Sequence, residues 1–200
     1  MNIKTFAAAA CLSLATMTSS WAVTLNVSGG QLTGASNVNV NGNLFDVEFL
    51  DGTCVGLFGG CDELSDFAFD NEEEANAAAQ SLLDQVFVDD PVLGNFDTDP
   101  QLTSGIIIQG GNLLVPFAFP SAVQFTAISA FNAVLDGFDD TNTLVFLRDL
   151  DTANAGNIAF AQFTPANVAA VPLPAGGVLL LTGLIGLRAL RKRSKNRATA

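Results

Sequence analysis

Val38-Asn39-Val40-Asn41-Gly42-Asn43-Leu44-Phe45-Asp46-Val47-Glu48-Phe49 is the stretch whose reading decides the fold. Asn-Gly tolerates positive φ at both central positions of a type I′ turn, and that turn has the twist of paired strands. Beyond it, Phe45, Val47 and Phe49 alternate with Asp46 and Glu48, so a period of two sets the three apolar side chains on one face. The segment predicts a β-hairpin, and its surroundings read the same way. Leu25 and Val27 alternate with polar neighbours upstream. Ile106-Ile107-Ile108, Leu113-Leu114-Val115, Val123 to Phe131, Thr143 to Leu147 and Ile158 to Phe163 are further strand candidates, punctuated by turns such as Gly110-Gly111-Asn112.

One segment breaks the β pattern. Ala75, Ala78, Ala79, Leu82, Leu83, Val86 and Phe87 recur at helical spacing. Asn71 to Glu74 has the form of a capping box, and Glu72-Glu73-Glu74 complements the positive end of the helix dipole. Asp89-Asp90-Pro91 is the expected stop. The expected architecture is therefore mainly β, sandwich-like, with one amphipathic α-helix. Most of the 16 Phe are expected in the core, with Leu57-Phe58, set between glycines, as an exposed apolar tip.

Charge divides the 200-residue chain. All 20 acids lie between Asp46 and Asp151, whereas six of the eight cations follow Leu187. From Val23 to Pro174 there is one cation, Arg148, against 20 anions, a formal charge of −19. Such a surface repels phosphate backbones, which excludes nucleic acid as a partner. The chain has no His, which excludes Ser-His, Cys-His and His-metal chemistry.

The ends read as addresses. Lys4, the short apolar run Phe6 to Thr16, and small residues at Ser20 and Ala22 describe a signal peptide over 1–22, cut between Ala22 and Val23. The acidic β-rich domain is expected over 23–163 and a neutral linker over 164–170. Then Val171-Pro172-Leu173-Pro174-Ala175 leads into an uncharged run to Leu187, closed by Arg188, Arg191, Lys192, Arg193, Lys195 and Arg197. Twenty residues from Val171 to Leu190 make a helix of about 30 Å, one hydrocarbon thickness. The basic cluster is a stop-transfer signal that keeps the tail on the cytoplasmic side of a single transmembrane helix.

This tripartite tail, over 171–197, resembles the PEP-CTERM family of bacterial sorting signals, and within it the variant that begins VPLPA. The residues that match are Val171 to Ala175, Gly176 to Leu187, and Arg191-Lys192-Arg193; Leu173 stands where the parent motif has Glu. The resemblance implies export in a Gram-negative bacterium that makes extracellular polysaccharide. It also implies an exosortase, a membrane-embedded cysteine transpeptidase-like enzyme, that recognises the tail near the prolines and releases or transfers the ectodomain. It implies nothing about what the ectodomain does.

Two cysteines remain after the signal, Cys54 and Cys61, with six residues between them in a glycine-rich loop. An even number in an exported chain predicts a disulfide, worth about 2–3 kcal/mol by loop entropy. Zinc needs more ligands than these, and a redox pair needs the closer CxxC spacing. The acidic loops are the remaining candidates for chemistry: Asp97-Thr98-Asp99, Asp136 to Asp140, and Asp149-Leu150-Asp151 with Asn154 and Asn157. Oxygen-rich loops hold calcium, and Asp149 and Asp151 fit the first and third positions of an EF-hand loop. Ala153 and Phe160 do not fit the fifth and twelfth.

The readings together describe an exported, non-catalytic cell-surface or matrix protein that needs no cofactor. It would be held in the inner membrane with its ectodomain outside until an exosortase processes it. The first rival is a calcium-dependent exopolysaccharide-binding module or adhesin. The second is a glycan hydrolase built on paired carboxylates, a weak signal where 20 acids make some pairing inevitable.

Overall fold

The computed structural model describes residues 22–134 and 139–167. In chain order the strands are β1 (Thr24–Ser28), β2 (Gln31–Val40), β3 (Asn43–Leu50), β4 (Asp89–Asp90), β5 (Gly94–Asn95), β6 (Gly111–Ser121), β7 (Gln124–Asn132), β8 (Asp140–Leu147) and β9 (Ile158–Pro165). The helices are α1 (Cys54–Leu57) and α2 (Glu72–Gln85), with short 3₁₀ turns between elements. Seven strands form one sheet in the order β1-β2-β3-β9-β6-β7-β8, and β4 and β5 make a small separate ribbon.

The hairpin forms as the sequence dictates. Asn41 and Gly42 sit at φ 51° and 88°, the signs a type I′ turn requires. Val47 and Phe49 are buried in the main core, and Phe45 packs beside them. A bulge between Ala35 and Val38 puts Asn37 at φ 61°, and the Asp46 carboxylate accepts its N–H at 3.2 Å.

The topology comes down to β9. The hairpin-linked strands β1–β3 form one antiparallel meander and β6–β8 another. β9, last in the chain, inserts between them, antiparallel to β3 from Phe45↔Pro165 to Leu50↔Phe160 and parallel to β6 over Asn112↔Ile158 to Leu114↔Phe160. Both faces of these central strands are buried, which is why Leu113-Leu114-Val115 reads as an unbroken apolar run. Leu113 and Val115 enter a core under α2; Leu114 enters a second core on the opposite face with Phe125 and Phe160.

The second layer is therefore not a second sheet. A helix covers one face and the disulfide loop the other, which corrects the sandwich-like expectation. α2 buries Ala75, Ala78, Ala79 and Leu82 in the main core. Its N-cap is Asn71, which accepts the Glu74 N–H at 2.9 Å. At the far end Gln85 does the work of a strand partner for Asn39, accepting its N–H at 2.9 Å and donating to its carbonyl at 2.8 Å. The helix ends at Gln85, before the expected Asp89-Asp90-Pro91 stop, with the Val86 and Phe87 N–H groups both turned onto the Leu82 carbonyl.

Three further readings are corrected. Ile106–Ile108 is a loop: Ile106 is buried against Gly111, and the Ile107 N–H donates to the Gly156 carbonyl at 2.8 Å with its side chain outward. Leu57-Phe58 is no exposed tip, because Phe58 is buried in the second core. The domain runs past Phe163, since β9 ends at Pro165 and the Ala166 N–H donates to Leu44.

Phe160 lies on the shared strand, wholly buried, 5.4 Å from the Phe58 ring and 5.7 Å from that of Phe125. Phe160→Ala should lower the unfolding free energy by about 3–5 kcal/mol in urea. Both meanders should still melt in one transition, because they share β9. Separate transitions for the two halves would contradict this account of the sheet.

Candidate functional site

The disulfide loop is the most constructed feature outside the sheet. Cys54 and Cys61 are bonded, with Cα atoms 5.7 Å apart and both residues fully buried. Thr53 caps α1 by accepting the Gly56 N–H at 3.1 Å. Phe58 points inward, edge-on to Phe67 at 6.0 Å and to Phe160 at 5.4 Å. The ring of glycines lets so short a loop turn back and lay an aromatic side chain on the sheet.

Arg148 holds this loop down. Its Nη1 donates to the Ala122 carbonyl at 2.8 Å, its Nη2 donates to the Gly60 carbonyl, and the same nitrogen lies 3.3 Å from the Asp62 carboxylate. Its backbone N–H donates to Val123 at 3.0 Å, and its carbonyl accepts from Val55. One side chain thus joins the end of β8, the β6–β7 turn and the disulfide ring. In the sequence its only signal is its isolation, as the one cation among 20 anions between Val23 and Pro174. A planar guanidinium with several donors is the side chain able to reach two carbonyls and a carboxylate at once. Beside it lies an open, shallow cavity of about 540 Å³ lined by Val55, Ala122, Val123, Leu147, Arg148 and Asp149. It is mainly apolar, with Asp149 its one carboxylate.

The acidic loops use their carboxylates on their own backbones. Asp151 accepts the Ala153 N–H at 3.1 Å and the Asn154 side-chain amide at 2.9 Å. Asp149 lines the cavity beside Arg148, and among the described residues no three His, Cys, Asp or Glu side chains are grouped to hold a metal ion. Asp89 accepts the N–H groups of Asp97 and Thr98 at 3.1 Å each and the Thr98 hydroxyl at 2.9 Å. Asp90 accepts from Val92 and Leu93 at 2.8 and 2.9 Å, closing the turn of the β4–β5 ribbon. Part of the Asp136–Asp140 cluster lies outside the described residues, as do the signal segment before Ala22, the motif Val171 to Ala175, and the cluster Arg188, Arg191, Lys192, Arg193 and Lys195. Ala22 and Val23 directly precede β1, and Val23 packs against the main core. Among the described residues no helix is long and apolar enough to cross a membrane.

Comparison of the chain with family models, curated proteins and solved structures returned no match.

Two predictions arise here. Arg148→Ala should cost about 1.5–3 kcal/mol of stability, because the Ala122 and Gly60 carbonyls lose a charged donor. Asp62→Asn should cost under about 1 kcal/mol, because Asp62 is 59% exposed and its ion pair is screened. Equal losses from the two variants would mean that the ion pair, not the carbonyl contacts, anchors the loop.

The second concerns pH. Slight desolvation pushes the Asp89 carboxyl up, but the hydrogen bonds from Thr98 and Asp97 together bring it below its usual 3.8. The Leu93 and Val92 N–H groups lower Asp90 from the same value. A depressed carboxylate stabilises the folded form fully above its unfolded pKa and loses that effect as pH falls through the folded value. The β4–β5 ribbon should therefore hold at neutral pH and loosen only in acid below 3.8. Carboxyl NMR titration should give both groups midpoints below that value; midpoints above it would refute the assignment.

Proposed function

We propose that the chain is an exported, non-catalytic cell-surface or matrix protein whose C-terminal tail is processed by an exosortase-type enzyme. The observation that carries this reading is the order of three parts in the tail: Val171-Pro172-Leu173-Pro174-Ala175, the uncharged run to Leu187, and the basic cluster from Arg188. Each part has a physical task. The prolines fix φ, and Pro174 disfavours helix at Leu173, so the segment stays extended and can be threaded into an enzyme's cleft. The apolar run holds that segment at the bilayer. The cations stop translocation and keep the last residues in the cytoplasm.

The ectodomain supports the same reading. Its Cys54–Cys61 bond suits an oxidising compartment. Its one cation is spent on holding loops together, and its best-defined carboxylates cap turns. An acidic surface keeps such a domain soluble in a polysaccharide matrix. After export the chain spans the inner membrane once, with the domain outside, until processing delivers it to the surface or the medium.

The test is the intact mass and cell fraction of the protein in its native host. Wild-type protein should lose its apolar tail, whereas replacing Pro172 and Pro174 with Ala should leave full-length protein in the inner membrane. Deleting Gly176 to Leu187 should send unprocessed protein to the periplasm. A wild-type chain that keeps its tail in every fraction would make the segment a plain anchor and defeat the proposal.

A further inference from the structure

The chain holds one Asn-Gly pair, Asn41-Gly42, and the fold sets it at the exposed tip of the β2–β3 hairpin. In such a pair a backbone nitrogen stands next to a side-chain amide, and glycine puts no side chain in the way of attack. The space is open as well, since a Cβ on Gly42 would meet nothing within 4 Å. Gly42 lies between the last ladder pair, Val40 and Asn43. Its N–H donates to the Asn39 side-chain oxygen at 2.8 Å. Asn39 is itself fixed by α2. Gln85 holds both its N–H and its carbonyl, and the Ser81 hydroxyl donates to the same carbonyl at 3.0 Å.

Ring closure is the reaction open to this pair. Hydroxide removes the Gly42 amide proton, and the nitrogen attacks the Asn41 side-chain carbonyl carbon. The N–Cγ bond forms, the Cγ–Nδ2 bond breaks, and the departing nitrogen takes a proton from water and leaves as ammonia. Water then opens the cyclic imide at either carbonyl. One opening gives aspartate; the other gives isoaspartate, whose backbone runs through the former side chain and is lengthened by a methylene. To reach Cγ the Gly42 nitrogen must turn away from Asn39 and give up the proton that Asn39 holds, so both steps break the same hydrogen bond. Asp51-Gly52 is chemically similar but closed from two sides. The wholly buried Thr152 hydroxyl accepts the Gly52 N–H at 3.1 Å and donates to the Asp51 carboxylate at 3.1 Å.

We propose that Asn41 is a self-modification site, converted to aspartate and isoaspartate through a cyclic imide, and that the Asn39 carboxamide sets the rate by holding the Gly42 N–H. Conversion adds an anion to the turn, and isoaspartate lengthens a turn whose geometry needs Asn41 and Gly42 at positive φ. The proposal does not depend on exosortase processing, since turn and tail are separate parts of the chain.

The experiment incubates the protein isolated from its native host in mildly alkaline buffer and reads aspartate and isoaspartate at residue 41 over time, by peptide mass and chromatography. Asn41 should convert ahead of Asn43 and ahead of isoaspartate formation at Asp51, and faster as pH rises. Asn39→Ala should raise the rate about two- to tenfold, the factor that one net hydrogen bond is worth. Asn39→Asp keeps an acceptor in place and should be no faster than wild type. Gln85→Ala frees the Asn39 backbone but leaves its carboxamide, and should raise the rate less than Asn39→Ala. In each variant, protection of Cys54 and Cys61 from alkylation without reduction reports that the domain is folded. Conversion at Asn41 no faster than at Asn43 or Asp51, a rate unmoved by pH, or no acceleration in Asn39→Ala would overturn the proposal. So would Asn39→Asp or Gln85→Ala converting as fast as Asn39→Ala. Tail processing read by mass in the same samples keeps its failure distinct from failure of the sorting proposal.

Discussion

The structure depends on the insertion of β9 between two meanders that come earlier in the chain. Neither meander is a complete sheet without it. β9 supplies Ala159, Ala161 and Phe163 to the core under α2, and Phe160 to the core under the disulfide loop. Because it is buried on both faces, each face needs a cover, and α2 and the Cys54–Cys61 loop are those covers. The strand also ends where the linker begins, so the domain cannot close until its last residues have been delivered. That long-range pairing carries a loop-closure cost before it is rewarded, and the disulfide reduces the freedom of the unfolded chain around one of the two covers.

Local chemistry was legible in the sequence and long-range placement was not. The Asn41-Gly42 turn, the Asn71 cap and the stripe from Ala75 to Leu82 involve residues a few positions apart, and each formed as read. The partner of β9 could not be read, because Ile158–Phe163 has the same pattern whether it lies at an edge or in the middle. The sandwich expectation failed for the same reason: strand periodicity reports a buried face without saying what buries it. Ile106–Ile108 looks like a strand by composition, yet Ile106 is buried by a loop contact against Gly111. Phe58 between glycines looks exposed until the sheet beneath it is known.

The site was legible by half. Cys54–Cys61 followed from count and compartment, and the structure pairs them. Arg148 stood out only as a lone charge; its role came from two loops that converge on it from 26 and 88 residues away in sequence. In the acidic loops composition alone did not show which oxygens would cap which turn: Asp89, Asp90 and Asp151 accept from neighbouring N–H groups, as short polar side chains do in turns.

The central claim is that this fold is made outside the cytoplasm, where the cover over the second core can be locked by a disulfide. The direct measurement is the redox state of Cys54 and Cys61 in the native host. Intact cells are quenched with acid and the denatured protein is alkylated before any reduction. The account predicts that neither cysteine is labelled until a reductant is added, after which both are. Labelling of both cysteines without reduction would contradict it, placing the folded domain in a reducing compartment and removing the lock from the face of the sheet that Phe58 covers.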